Sequence, residues 1–429
     1  VSVDARTMPR PRIVIIGGGF GGLTAARALA RAPVDVLLID RRNHHVFQPL
    51  LYQVATAGLS PGDIASPIRW ILRHQANVRV WLAEATAVDP VTETVRLADG
   101  PEREVPFEYA ILAAGASHTY FGHDEWSEVA PGLKSLDDAL KIRGRVLTAF
   151  EEAERETDII AQRRLLTFVI VGGGPTGVEL AGALAEISRH ALAHDFREID
   201  PETARIILIE GGPSVLSTYP EPLSTFARRA LERLGVAVWT KSQVTAVEPG
   251  RVRLGQETIE AGTILWAAGV AASPLGASLG VPVDRAGRVI VNDDLSIPGY
   301  PKVFVIGDLA AYGTPDGRTL PGVAQVAMQQ ARAAAHNIER SLAGQSRERF
   351  VYHNLGDMAT IGRNSAIGDL GWIRLKGYVA WLTWLFVHIF QLVGFRNRLS
   401  VMTQWAFSYM TYQRSVRLIT RQDPPARSG

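Results

Sequence analysis

Apolar and polar positions fall into two copies of one pattern. Ile13, Val14, Ile15 and Ile16 form a short β-branched run that leads into Gly17-x-Gly19-x-x-Gly22, and Leu23, Ala25, Ala26 and Leu29 follow at helical spacing. A second apolar run, Val36 to Ile39, ends at Asp40. Strand, tight turn, helix, strand and acid in this order predict a dinucleotide cradle. Gly17 permits the turn, Gly19 lets the backbone approach a pyrophosphate, and Gly22 lets helix and strand pack closely, with the helix N-terminus facing the phosphates. Asp40 is placed to accept both hydroxyls of an adenosine ribose. The pattern returns at Phe168 to Val171, then Gly172-x-Gly174-x-x-Gly177, then a strand over Arg205 to Ile209 that ends at Glu210. Glu210 lies 33 positions after Gly177, against 18 from Gly22 to Asp40, which predicts an elongated helix and loop between Glu186 and Pro201. Two cradles imply two dinucleotides. A flavin and a nicotinamide form the economical pair, because hydride passes between them.

Between the cradles, Val78 to Ala83 reads as a strand and Thr92 to Pro106 as an antiparallel excursion turning near Asp99-Gly100. His44-His45 reads as a polar turn, and no metal site is assigned to it. After Phe47 to Val54, the stretch to Arg69, with Gly58, Pro61, Gly62 and Pro67, reads as a loop placed to line a flavin. Tyr109 to Leu112 is a strand running into Ala113-Ala114-Gly115, and Thr263 to Leu265 repeats this, running into Trp266-Ala267-Ala268-Gly269. Small residues ending in Gly115 or Gly269 allow backbone to pass close to a nucleotide or between domains. Residues 133–161 and Pro222 to Leu234 read as amphipathic helices, Val236 to Trp239 as a strand, and Gln243 to Glu260 as a hairpin region. Val303 to Ile306 is a buried parallel strand ending in Gly307-Asp308, where Asp308 is placed to accept a ribityl hydroxyl. A helix follows over Val323 to Leu342, its N-terminus favouring an anionic reduced flavin.

The 429 residues suffice for two or three domains, and a net charge of +2 gives no argument for nucleic acid as a partner. There are no cysteines, which excludes disulfides, thiolate metal sites and thiol-relay chemistry. Residues 1–11 carry no apolar core segment and read as a short leader rather than a signal peptide, so a cytoplasmic location is expected.

The end of the chain is lopsided. Leu370 to Gln422 contains no Asp or Glu, seven Lys or Arg, and four of the nine tryptophans. That is the composition of a surface meeting anionic lipid. Gly377 to Phe395 is 19 residues without formal charge, borderline in length for a span. His388, Gln391, Thr383 and aromatics spread throughout favour helices lying in the membrane interface, a second being expected around Trp405 to Tyr412. A single span and a dimer interface are the alternatives.

From Pro11 to Tyr412 the chain resembles the type II, non-proton-pumping NADH:quinone oxidoreductases. The resemblance rests on Gly17-Gly18-Gly19-Phe20-Gly21-Gly22, Phe47 to Thr56, Gly172 to Glu179, Gly307-Asp308, Ala324-Gln325-Val326-Ala327-Met328-Gln329-Gln330 and Ala359 to Ile367. It implies non-covalent FAD in the first cradle, held by Asp40 and Asp308, and NADH in the second, selected by Glu210. It implies Glu179 beside the nicotinamide, Gln325 and Gln329 as the quinone-site pair, and Lys376 as a basic residue on the quinone side. Membrane attachment through C-terminal helices at the cytoplasmic face, a membrane quinone as acceptor and a homodimer are also implied. The chemistry agrees for the glutamines: residues 325 and 329 share a helix face, and neutral amides hydrogen-bond quinone carbonyls without fixing a charge. Lys376 has a second reading, snorkelling toward lipid headgroups.

The expected fold is α/β, with two Rossmann-like dinucleotide-binding domains and a C-terminal membrane-associated helical region. The FAD-binding domain is expected at 11–124 with 291–345, the NADH-binding domain at 125–290 and the C-terminal domain at 346–422. A soluble NADH-dependent reductase of the ferredoxin-reductase type is the alternative function; the uncharged Gly377 to Phe395 run argues against it.

Overall fold

β-branched runs flanked by glycine turns form the centres of two parallel sheets. The computed structural model describes residues 10–193, 195–314, 317–392, 398–403, 405–406 and 416–419. Residues 1–9 of the expected leader, the aromatic segment 407–412 and Arg396, Arg414 and Arg421 lie outside the described residues. Packing divides the chain into two units, one of 1–45, 66–117 and 270–353, the other of 46–65, 118–269 and 354–429.

The first unit is built on a six-stranded sheet in the order Ser296–Ile297, Tyr300–Val305, Tyr109–Leu112, Arg12–Ile16, Asp35–Asp40, Val78–Leu82. All but the first strand run parallel, with Ile13 aligned to Val36 on one side and Tyr109 on the other. Strands covered on both faces read as unbroken apolar runs, and Ile13, Val14 and Ile15 are fully buried here. The helices Phe20–Ala28 and Ala324–Leu342 pack against one another. Ala85–Asp89, Thr94–Leu97 and Glu104–Pro106 form the antiparallel excursion.

The second unit repeats the plan with four parallel strands in the order Val236–Trp239, Arg205–Ile209, Thr167–Val171, Thr263–Trp266. The helix Pro175–Glu186 continues as one wide π-type turn over Ile187–Ala191, which takes up part of the extra length before Glu210. Ala246–Glu248, Arg251–Leu254 and Glu257–Glu260 form the expected antiparallel hairpins.

The C-terminal region has the expected helix, preceded by strands that its sequence does not predict. It opens with an antiparallel sheet, Asp357–Gly362, Ser365–Asp369 and Arg374–Gly377, and the helix Tyr378–Gln391 follows. Asn364, in the left-handed conformation at φ 64°, makes the first turn. Among the described residues no helix is long and apolar enough to cross a membrane. The six-stranded and four-stranded sheets lie in separate units, while four stretches, Val46 to Ala65, 118–124, 270–290 and 346–353, group differently from the expected boundaries. Val46 to Ala65 belongs with the second unit, where its helix Leu51–Ala55 packs on the helices Leu136–Arg155 and Pro175–Glu186. Residues 270–290 and 346–353 belong with the first. In the latter stretch Phe350 is buried, and the Glu348 backbone bonds to Asn337 in both directions.

Candidate functional site

In the first unit the strand Arg12–Ile16 ends at Gly17, whose N–H donates to the Ile39 carbonyl at 2.8 Å. The helix Phe20–Ala28 starts from Gly19 with no side-chain cap, so its first amides remain available to an anion. A Cβ at Gly22 would overlap the Gly17 carbonyl oxygen, whereas one at Gly19 would meet nothing within 4 Å. The outer glycine therefore permits close packing and the middle one faces open room, as a pyrophosphate requires. Asp40 is fixed at its strand end, accepting from the Gly18 amide at 2.5 Å and the Arg42 amide at 2.6 Å. A carboxylate has lone pairs beyond these two for ribose hydroxyls.

Two neighbours of this cradle escaped the sequence reading. His45 is no polar turn: it is buried, edge-on to Phe20 at 5.0 Å, with Nδ1 3.1 Å from the Gly18 carbonyl. Burial lowers its pKa, which keeps the ring neutral beside the cradle. Gln330 is 1% exposed and accepts the Gly307 amide at 2.7 Å, fastening the Gly307-Asp308 turn to the helix Ala324–Leu342. Its signal was available, since positions 326, 327, 331, 334, 335 and 338 make the apolar face and Gln330 interrupts it. Asp308 lies against Gly322, and the Gly115 carbonyl accepts the Ser273 amide at 3.0 Å.

The second unit uses the same device. The Gly172 N–H donates to Ile209 at 2.7 Å, and the helix Pro175–Glu186 begins uncapped from Gly174. A Cβ at Gly177 would overlap the Gly172 carbonyl, and one at Gly174 would meet nothing. Glu210 accepts the Gly173 and Gly212 amides, both at 2.6 Å, so its carboxylate is held as rigidly as that of Asp40. Gly269 takes φ 79° after the strand Thr263–Trp266.

Glu179 lies one turn into this helix, against the strand Asp357–Gly362. Burial pushes its carboxyl up to about 8, opposed by the Thr360 amide that donates to it. Thr360 Oγ1 lies 3.1 Å from the Tyr52 hydroxyl, which accepts from Gln53 Nε2 at 3.0 Å, and Gln53 Oε1 accepts from Trp405 Nε1 at 2.7 Å. Burial, and then the charge of Glu179, raise the Tyr52 pKa, so this hydroxyl stays protonated. Tyr52, Gln53 and Trp405 line a cavity of about 140 Å³ walled by Trp381, Trp384 and Leu385, with Glu186, His190 and Arg363 at its polar side. The helix Tyr378–Gln391 has its other face exposed, presenting Val379, Leu382, Phe386 and Phe390.

The raised Glu179 pKa sets a direction for stability. Between the ordinary glutamate value of 4.5 and about 8, the folded state holds a proton that the unfolded chain has lost. Stability therefore falls as pH rises through this window and is level above it, by an amount on the order of a few kcal/mol. Glu179→Gln is expected to remove that slope, the Tm of the two proteins diverging from pH 5 to 8 (about that window) in favour of the variant. The difference isolates Glu179 from His388, whose burial pulls it down to about 4 and whose effect runs oppositely.

The remaining assigned residues are placed less simply. Gln329 spends both ends of its amide on the His353 backbone, donating to its carbonyl at 2.8 Å and accepting its N–H at 3.0 Å. Gln325, one turn earlier, is half-buried and also has an interaction partner. Lys376 is exposed on the strand Arg374–Gly377, its Nζ 6.0 Å from the Phe226 ring, and does not line the tryptophan-walled cavity.

Two parallel sheets, each with a glycine cradle and a terminal acid, define a two-dinucleotide flavoprotein. Accordingly, residues 11–331 match the pyridine nucleotide-disulphide oxidoreductases, and 354–413 match the NDH2 C-terminal domain. The chain is 48% identical to the type II NADH:quinone oxidoreductase NdhA of Mycobacterium tuberculosis, over 96% of this chain and 90% of that protein. It is 45% identical to Ndh of the same organism, over 98% and 92%. The structure of NDH2 from Plasmodium falciparum in complex with NADH shares the fold at TM-score 0.87 and 22% identity, covering 96% of this chain and all of that one. The chain belongs to the type II NADH:quinone oxidoreductases. It is an FAD-dependent NADH dehydrogenase that carries electrons from NADH to a quinone without proton pumping.

Proposed function

We propose that the first cradle holds FAD non-covalently, the second holds NADH, and the tryptophan-walled cavity admits a membrane quinone. The balance is NADH, one proton and quinone in, NAD⁺ and quinol out. Bound FAD would supply the hydride acceptor and two-electron relay between NADH and the quinone. Asp40 and Asp308 hold ribose and ribityl hydroxyls of the flavin, and the uncapped helix start after Gly19 carries its pyrophosphate. Glu210 orients the adenosine ribose of NADH. Glu179, protonated over most of the physiological range, puts no second negative charge beside the nicotinamide. Gln325, assigned to the quinone site by the family resemblance, does not line that cavity, and the assay below tests it separately. Gln329 is free for a quinone only when its bonds to His353 open, so its main part is to hold the 346–353 segment on the helix.

The observation that carries the quinone assignment is the two-faced helix Tyr378–Gln391. Its inner positions 381, 384 and 385 wall the cavity, and its outer positions 379, 382, 386 and 390 are exposed and apolar. A lipophilic acceptor leaving a bilayer would meet that helix first. The reading includes peripheral attachment to an anionic, cytoplasmic membrane face, favoured by the acid-free basic tail, and a homodimer.

Steady-state NADH oxidation by the FAD-replete protein, with and without a short-chain quinone, tests the reading. Turnover that depends on quinone and drops at least tenfold (about 1.4 kcal/mol) in Gln325→Leu supports it; unaltered turnover in that variant removes Gln325 from the site. The same assay reads Glu210. A fixed carboxylate at the ribose repels a 2′-phosphate, so Glu210→Gln is expected to raise kcat/KM for NADPH by about an order of magnitude.

A further inference from the structure

Phe121 combines three properties seldom found together. It is 66% exposed, it takes φ 55°, and its ring is nevertheless pinned. Left-handed backbone is a genuine outlier for a bulky residue, and such strain persists only where surrounding structure enforces it. The enforcement is visible here. Trp266 Nε1 donates to the Thr119 carbonyl at 2.9 Å, and its ring stacks on Tyr120 at 5.1 Å and lies 6.3 Å from Phe121. The Phe121 ring then enters the space that a side chain on Gly269 would need: a Cβ there would come within 2.6 Å of Phe121 Cζ and 2.8 Å of Thr119 Cγ2.

Gly269 belongs to the wall of the second cradle, since a Cβ at Gly172 would meet the Ala267 carbonyl carbon at 2.6 Å. A dinucleotide crosses the carboxyl ends of such strands at the point where their order reverses. With the adenosine ribose on Glu210, at the end of Arg205–Ile209, and the pyrophosphate at Gly172 to Gly174, the other half must extend toward the end of Thr263–Trp266. That end is Ala267 to Gly269, and Phe121 stands beside it.

We propose that Phe121 is a substrate-binding residue, its ring forming the wall against which the nicotinamide half of the dinucleotide rests. This deepens the assignment of NADH to the second cradle and rests on it. An aromatic wall supplies apolar contact and a quadrupole suited to a flat heterocycle without needing a hydrogen bond.

The test titrates NAD⁺, which cannot reduce the flavin, into oxidised holoenzyme by calorimetry, beside steady-state kinetics. Phe121→Gly removes the ring and accepts the φ without strain; Phe121→Ala removes the ring alone; Phe121→Trp restores an aromatic wall. Both truncations are expected to raise Kd for NAD⁺ and KM for NADH by about three- to tenfold, with FAD content and KM for quinone unchanged. Phe121→Trp is expected to bring both back to within about twofold. Gly174→Val is the control, because its extended backbone at φ −72° accepts a side chain, which would project into the pyrophosphate's room. Loss of NAD⁺ binding in Gly174→Val with an unchanged Kd in Phe121→Gly would overturn the inference and leave the cradle assignment standing. An unchanged Kd in Gly174→Val would overturn both.

Discussion

Gly22→Ala is expected to produce a chain that retains no flavin, and Gly177→Ala a yellow protein that no longer oxidises NADH. The two positions are equivalent in geometry. In each, a Cβ would overlap the carbonyl oxygen of the first glycine of its own motif, Gly17 or Gly172. No rotamer relieves a clash with backbone, so the helix must move away from the strand end by a sizeable fraction of an ångström. Overpacking of this kind costs about 1–3 kcal/mol in stability. The larger effect falls on the ligand, because the displaced helix start no longer aims its amides at the pyrophosphate. A drop of at least a hundredfold in NADH turnover, about 3 kcal/mol, is expected for Gly177→Ala. Flavin absorbance per chain after desalting, followed by NADH oxidation, reads both variants. If Gly177→Ala lost flavin and Gly22→Ala kept it, the two nucleotides would have to exchange cradles.

The second large effect concerns attachment. Replacing Leu382, Phe386 and Phe390 together with glutamate is expected to release the protein from anionic vesicles while sparing turnover with a water-soluble quinone analogue. These side chains are 44%, 62% and 59% exposed, and none lines the cavity. Burying the open half of each in an interface contributes about 1 kcal/mol, so losing three lowers partitioning by on the order of a hundredfold before any repulsion from anionic lipid is counted. Co-sedimentation with vesicles at low and high salt separates the apolar contribution from that of the basic residues, only the latter being screened. Undiminished sedimentation of the triple variant would move the attachment surface off this helix.

Both cradles were legible because their requirements are local: a β-branched strand, three glycines at fixed offsets and an acid at the next strand's end. The strand Val236–Trp239 begins and ends where its composition said it would. What stayed hidden depends on partners remote in sequence. Tyr52 meets Thr360 across 308 positions and Gln53 meets Trp405 across 352, so the cavity cannot be read from either segment alone. The grouping of Val46 to Ala65 with the second unit follows from the same long-range contacts. Gln329 shows a different limit. Its spacing from Gln325 fixes the helix face, but its partner is the backbone of His353, and a backbone group leaves no mark in composition. His45 was misread because two adjacent histidines after a strand look solvated, and only the carbonyl of Gly18 shows why one of them is buried.

The helix Tyr378–Gln391 is roof and keel at once. Three of its side chains close the cavity, and the opposite ones are those a bilayer would take up. No layer of protein separates the two faces, so a load on the outer one is carried directly to the side chains that close the cavity. On the proposed attachment, adhesion to a bilayer and admission of a lipophilic molecule would be coupled through this one helix.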